Sequence, residues 1–227
     1  MAADIARFMR DHGLAQEGGK VNLMGHSMGG KAVMAFALNS AYNGCLHTLI
    51  SADMAPSIGK ISPEFASYAQ GMQEIEDAKV RTKAEGDKVL QGYEKSLPTR
   101  QFLLTNAITD PTSQTIRFRI PLDIIRESIP QIGEFPYSPP AASASESEGE
   151  APNAISQHPT TTWSGPTLFI KGARSAYINH RNIPACRAFF PRMEMETLDA
   201  GHWVHAERPA EFVDAVEKFL RAHTPTK

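Results

Sequence analysis

The chain has 227 residues, of which 41% are hydrophobic and 21% charged, a balance that suits one domain with a packed core and excludes global disorder. Its formal net charge of −2 provides no field for capturing nucleic acid or an anionic membrane surface. No apolar run approaches the ~20 residues that a membrane span needs. The two cysteines, Cys45 and Cys186, lie far apart in the sequence, which excludes a disulfide framework, and we expect them to be reduced thiols in an intracellular protein.

Residues 1–14 (MAADIARFMRDHGL) predict an amphipathic helix, because Ile5, Phe8 and Met9 have helical spacing and Gly13 lies near its end. The segment contains acidic residues and lacks an apolar core, so it fits neither a transit peptide nor a secretory signal. We therefore expect the chain to begin inside a fold.

The next segment alternates between strand and helix patterns. Residues 21–24 (VNLM) predict a strand, 25–30 a sharp turn, 31–39 a helix and 47–52 (HTLISA) a second strand. This order predicts a parallel βαβ unit.

A long helical region and a loop follow. Residues from about 56 to 136 are mostly helical in pattern and predict an insertion above a sheet, where it would cover a site. Residues 136–165 are rich in Pro, Ser, Ala and Glu, which predicts a disordered linker.

The α/β pattern then resumes to the end of the chain. Thr167 to Lys171 predicts a strand, Ile183 to Phe190 a short helix, and Met193 to Leu198 a half-buried strand near the sheet edge. The last helix is expected to begin at Pro209, and its apolar face to consist of Phe212, Val216, Phe219 and Leu220. The whole pattern predicts the α/β class, with a mainly parallel sheet flanked by helices.

Residues 25–29 (GHSMG) match G-x-S-x-G, the nucleophile elbow, with Ser27 as the nucleophile. Gly25 and Gly29 are expected to be required because side chains there would collide with neighbouring backbone. The helix after the turn would direct the N–H of Met28 at a developing oxyanion. A plain glycine-rich turn is the alternative, but the strand before and the helix after favour the catalytic interpretation.

A histidine for the general base follows the Met193–Leu198 strand. His202, in the segment AGHW, lies on a loop between that strand and the last helix, which is the expected setting for the base. His205 on the same loop is the main competitor, and His26 is expected to point away along the elbow.

The acid of the site is less directly indicated. Many enzymes with a nucleophile elbow carry the acid after the strand that precedes the histidine strand. In this chain that region, between Lys171 and Pro191, contains no Asp or Glu, and Ser175 lies there. The best candidate is Asp53, at the end of a strand expected beside the serine strand, from which it could orient His202. Asp199 is the fallback.

Five segments together resemble one branch of the α/β-hydrolases, namely NLMGHSMGGKAVMAFAL, LISADMAPS, QFLLTNAI, LFIKGARSAYI and LDAGHWVHAERPAEFVDAVEKFL. This branch contains bacterial short-acyl and acyl-CoA esterases, mitochondrial ABHD-type hydrolases and ethanol acetyltransferases. The resemblance implies that the acid is Asp53, that Ser175 assists it, and that the protein is mitochondrial, with a cytoplasmic location as the alternative. We expect no cofactor and no metal. The resemblance also implies a hydrolase core formed by 1–55 and 166–227, with a helical cap at 56–135.

The resemblance has one departure. Such enzymes place further strands and a His-Gly loop, which supplies a second oxyanion N–H, before the elbow strand. Only 26 residues precede Ser27, so we expect an N-terminally truncated α/β-hydrolase fold that lacks roughly 80 residues.

These observations predict a serine ester hydrolase acting on short or medium acyl esters through a Ser-Asp-His triad and an acyl-enzyme. Acyl transfer to an alcohol and hydrolysis of acyl thioesters use the same chemistry and stay open. From another class, an inactive truncated fragment or a binding module stays open too. The expected partner is a small acyl ester or thioester, with no nucleic acid.

Overall fold

The structure is a computed structural model that describes residues 1–16, 21–59, 61–140 and 162–223. Its helices are α1 (Ala2–Asp11), α2 (Met28–Ala37), α3 (Pro63–Asp77), α4 (Lys83–Leu90), α5 (Leu97–Leu103), α6 (Leu122–Ile132), α7 (Ile183–Phe189), α8 (Val204–Glu207) and α9 (Pro209–His223). Its strands are β1 (Val21–His26), β2 (Leu46–Ala52), β3 (Ala107–Thr109), β4 (Ile116–Phe118), β5 (Thr167–Gly172) and β6 (Met193–Leu198).

The chain divides into two compact units. The first combines Met1–Ile58 with Phe135–Lys227, and the second is Gly59–Glu134. The expected function of the second unit as a cap stays a prediction.

A parallel sheet with strand order β1-β2-β5-β6 forms the centre of the first unit. The helix α2 connects β1 to β2, so the predicted βαβ unit is confirmed. The interior strand β2 ends in a run of buried residues, whereas burial alternates along the first part of β6 at the sheet edge, as its MEMETL pattern predicts.

The helix α2 begins earlier than expected. It starts at Met28 rather than Lys31, and the N–H of Lys31 donates to the carbonyl of Ser27 over 3.2 Å, which closes the first turn. The predicted six-residue turn is therefore a single residue, Ser27. Residues 30–37 of α2 are all buried, and Lys31 is the one charged residue among them.

Helices cover this sheet with the apolar faces that the sequence predicts, apart from one position. Met9 of α1 packs with Phe36 and Cys45, but Phe8 is 57% exposed, and Ala6 is buried instead. The helix α9 does begin at Pro209, and its predicted face packs against the sheet through Phe212, Val216, Phe219 and Leu220.

The ends of the predicted linker 136–165 are packed rather than disordered. Trp163 is buried in the main core, and its N–H donates to the carbonyl of Phe189 over 3.0 Å. Tyr137 packs against the same core. Large aromatic side chains bury enough surface to hold such segments in place. The rest of the predicted linker, 141–161, lies outside the described residues.

The second unit contains α3 to α6 and an antiparallel hairpin of β3 and β4. The sequence predicted helices but not the hairpin, whose strands have only three residues each. Ile75 and Leu90 are fully buried in its core, and the buried Arg100 is paired with Asp87 over 2.8 Å. Within the described residues of the chain, no helix is both long and apolar enough to cross a membrane.

Candidate active site

The turn between β1 and α2 places Ser27 in a strained conformation, with φ 55° and ψ −119°. A positive φ is uncommon for a residue other than glycine and recurs where a site stores strain. The N–H of Ser27 donates to the carbonyl of Ala52 over 3.1 Å, which fixes the turn beside the end of β2. The serine is thereby held at the carboxyl edge of the sheet.

The glycines around Ser27 differ in whether a side chain would fit at their positions. A Cβ at Gly25 would lie 2.8 Å from the amide nitrogen of Gly30 and closer still to the carbonyl of Gly29, so a side chain cannot fit. A Cβ at Gly30 would lie 2.8 Å from the hydroxyl oxygen of Ser51. A Cβ at Gly29 would meet no described atom within 4 Å, so the expectation that Gly29 is sterically required was wrong. The close approach of α2 to β2 falls at Gly30 instead.

His202 bridges the serine and an acidic residue. Its Nε2 lies 2.9 Å from the Oγ of Ser27, and its Nδ1 lies 2.8 Å from the Oδ2 of Asp53. These residues follow β1, β2 and β6, and the parallel sheet brings the carboxyl ends of those strands to one edge. The three predicted catalytic residues therefore lie in one hydrogen-bonded chain.

Asp53 is fully buried and receives three hydrogen bonds on its carboxylate. The N–H of Gly172 donates to Oδ1 over 3.0 Å, while the hydroxyl of Ser175 and the Nδ1–H of His202 donate to Oδ2. Like Ser27, Asp53 has a positive φ, here 47°. A buried carboxylate is stable only when donors satisfy its oxygens, and this one has donors on both.

The hydroxyl of Ser175 bonds to both Asp53 and Tyr177. It accepts the N–H of Tyr177 over 3.2 Å, so its own proton is directed at Asp53. The ring of Tyr177 also lies against the imidazole of His202, with the ring centroids 4.2 Å apart. The segment after β5 therefore contacts both Asp53 and His202.

A family model described as alpha/beta hydrolase fold matches residues 1–209 of the chain. The chain belongs to the alpha/beta hydrolase fold family. The predicted α/β-hydrolase fold is thus confirmed, and the relatives described next confirm the predicted relationship to ABHD-type proteins.

Curated relatives of this hydrolase-family chain include an abhydrolase domain-containing protein of Schizosaccharomyces pombe, 32% identical over 97% of this chain and 73% of the relative. A probable alcohol acetyltransferase of Saccharomyces cerevisiae is 30% identical over 98% of this chain and 63% of its own length. An sn-1-specific diacylglycerol lipase ABHD11 of Danio rerio is 31% identical over 89% of this chain and 58% of its own length. The chain therefore spans less than two thirds of the last two relatives.

Among solved structures, one described as a marine microorganism esterase superposes with a TM-score of 0.77. The esterase is 28% identical in sequence to this chain, and the superposition covers 96% of this chain and 76% of the esterase chain.

The two fallback residues of the sequence analysis make other contacts in this alpha/beta hydrolase. Asp199 is an exposed residue that pairs with Arg174. His205 lies against His26, with the ring centroids 4.6 Å apart, and burial lowers its pKa. Asp53 and His202 are the residues that geometry brings to Ser27.

Met28 is the first residue of α2, so its N–H has no acceptor within the helix. This donor lies next to Ser27 at the positive end of a helix, a position suited to a developing oxyanion. Among the residues that the structure describes, no group of His, Cys, Asp or Glu side chains could hold a metal ion.

Sequence reasoning missed the position of His26. Its ring does not point away along the elbow, because its Nε2 lies 2.9 Å from the carbonyl oxygen of His202. The only signal in the sequence is its place next to Ser27, and that place does not specify its partner.

Proposed function

We propose that this chain is a serine ester hydrolase in which Ser27 is the nucleophile, His202 the general base and Asp53 the residue that orients the base. The observation that carries the proposal is the hydrogen-bonded chain from the Oγ of Ser27 through both ring nitrogens of His202 to Asp53. The strained turn that presents Ser27 adds a second, independent argument.

The tautomer of His202 follows from its partners. A carboxylate only accepts hydrogen bonds, so Asp53 keeps the imidazole proton on Nδ1 and leaves the Nε2 lone pair facing Ser27. The base can then remove the serine proton as Oγ attacks an acyl carbonyl. Asp53 stabilises the resulting imidazolium, and the N–H of Met28 would stabilise the oxyanion.

Collapse of the tetrahedral intermediate expels the alcohol, which takes the proton back from His202 and leaves an acyl-enzyme on Ser27. A water molecule, activated by the same imidazole, then releases the acid. Besides the substrate and water, these steps use side chains and backbone groups of the chain, with Ser175 holding the Asp53 carboxylate in place.

Short or medium acyl esters are the substrates we propose. The similarity to a marine microorganism esterase supports ester substrates, and the similarity to a diacylglycerol lipase includes glycerol esters in that class. The mitochondrial location implied by the resemblance stays a prediction.

Acyl transfer to an alcohol is a second candidate, favoured by the 30% identity to a probable alcohol acetyltransferase. The acyl-enzyme is common to both reactions, so the difference lies in whether water or an alcohol attacks it. The ratio of ester to acid formed from a p-nitrophenyl ester in added ethanol separates the two. A thioester substrate in the same assay tests the remaining alternative.

Covalent labelling with a fluorophosphonate probe tests the proposed nucleophile. We expect labelling of the protein, its loss in Ser27→Ala, and its retention in Ser40→Ala, which changes an exposed serine of the same unit. An unlabelled protein would support the inactive fragment or binding module instead. Labelling that survives in Ser27→Ala would assign the chemistry to another serine.

A further inference from the structure

The residue before the nucleophile is bonded to the backbone of the base. His26 ends β1, and its Nε2 lies 2.9 Å from the carbonyl oxygen of His202. A carbonyl oxygen can only accept, so Nε2 must carry a proton. This bond joins the strand that carries Ser27 directly to the loop that carries its base.

His26 is surrounded by groups that keep it neutral. Burial lowers the pKa of His26 to about 4, and the nearby His202 and His205 act in the same direction, while the bond to the carbonyl and the charge of Asp53 oppose them. A neutral ring matters because the His26 and His202 rings are only 4.7 Å apart. A positive charge at His26 would oppose the imidazolium that His202 becomes during the reaction.

Side chains contribute two of the hydrogen bonds that hold the backbone around His202. Before the base, the N–H of Gly201 donates to a carboxylate oxygen of Glu207 over 2.9 Å. At the base itself, the carbonyl accepts from His26. The Glu207 bond is exposed, so it competes with water, whereas the His26 bond is partly buried and is the less easily replaced of the two.

We propose that His26 is a positioning residue, whose Nε2–H bond to the His202 carbonyl holds the imidazole in line with Ser27. The proposal rests on the proposed function, since it assigns His26 a part in the same proton transfer. His26 does not touch the reacting atoms in this arrangement, and it acts through the backbone of His202.

Two substitutions separate the hydrogen bond from the packing of the ring. His26→Gln keeps an N–H donor at a similar reach, and His26→Phe keeps a flat ring without a donor. We expect His26→Phe to lower kcat by about 10–100-fold at unchanged KM, because small displacements of a catalytic group are costly. We expect His26→Gln to recover most of that loss and His180→Phe, a control at an exposed histidine of the same unit, to have little effect.

The rate of fluorophosphonate labelling should follow the same order among these variants, since it needs the base but no alcohol leaving group. Circular dichroism and thermal unfolding identify any variant that fails to fold. If His26→Phe kept the wild-type kcat, or if His26→Gln were as impaired as His26→Phe, the hydrogen bond would have no positioning role. Loss of the proposed function would instead appear as labelling unchanged by Ser27→Ala or as an unlabelled protein.

A measurement on the unmodified protein tests the inference without turnover. Long-range ¹H–¹⁵N NMR shows which nitrogen of each histidine ring carries the proton. We expect His26 to be neutral and protonated on Nε2 at pH 7. A charged His26, or a neutral ring protonated on Nδ1, would overturn the proposal whatever the kinetics of the variants.

Discussion

Replacing Asp53 by asparagine tests the assignment of the acid, because the exchange keeps size and removes only charge and one acceptor. The carboxylate accepts from Gly172 on Oδ1 and from Ser175 and His202 on Oδ2. An asparagine side chain has one oxygen and one NH₂ group, so an NH₂ donor must replace the carboxylate oxygen at either the Oδ1 or the Oδ2 position.

The two orientations of that asparagine have different costs. If the NH₂ group faced Gly172, a buried backbone N–H would lose its acceptor, which costs ~1–3 kcal/mol of stability. If it faced Ser175 and His202, the hydroxyl could rotate and the imidazole could move its proton to Nε2, both at small cost. We therefore expect the second orientation, in which the Nε2 proton of His202 faces Ser27 and the base is lost.

The expected loss of turnover is up to ~10⁴-fold, as in other triads whose histidine takes the wrong tautomer. That corresponds to about 5.5 kcal/mol of transition-state stabilisation, whereas the free energy of unfolding should change by less than ~2 kcal/mol. Hydrolysis of p-nitrophenyl butyrate reports the first quantity, and urea denaturation followed by circular dichroism reports the second.

Asp199→Asn is the matched control, since Asp199 is an exposed carboxylate near the base that pairs with Arg174. Exposed ion pairs contribute ~0–1 kcal/mol, so its turnover should stay within a few-fold of wild type. If Asp199→Asn lost more activity than Asp53→Asn, or if Asp53→Asn kept turnover within tenfold, Asp53 would not be the residue that sets the tautomer.

Three further outcomes are expected. Gly25→Ala should lower the free energy of unfolding by ~2 kcal/mol or more, because the added Cβ overlaps backbone atoms. Gly29→Ala should change it by less than ~1 kcal/mol, because its Cβ would meet no described atom within 4 Å, and equal losses for the two variants in urea denaturation would contradict this. Ser175→Ala should reduce kcat less than the Asp53 exchange, since a hydroxyl supplies orientation without charge. Finally, burial lowers the pKa of His26 from 6.5 to about 4, so the unfolded chain binds the proton more readily than the folded chain. The free energy of unfolding should therefore fall as the pH decreases from 6.5 to about 4, and it should fall less in His26→Gln. The same decline in His26→Gln as in the wild type would mean that His26 does not contribute.

The sequence by itself determined the local elements and the residues they present. Apolar runs with turn signals located β1, β2 and β5, and alternation located β6. The G-x-S-x-G spacing located Ser27 between a strand and a helix. Asp53 could be selected because the usual region after β5 contains no carboxylate. These features are local because strand period, turn residues and motif spacing depend on near neighbours in the chain.

Only the tertiary structure decided which groups meet. The sheet order places β2 between β1 and β5, so Asp53 can accept both His202 and the N–H of Gly172. Where α2 approaches β2, the side chain of Ser51 leaves no room for a Cβ at Gly30, whereas a Cβ at Gly29 would meet no described atom within 4 Å. The bond from His26 to a backbone 176 positions away likewise has no local signal, because a hydrogen bond depends on distance in space and its carbonyl acceptor has no residue identity.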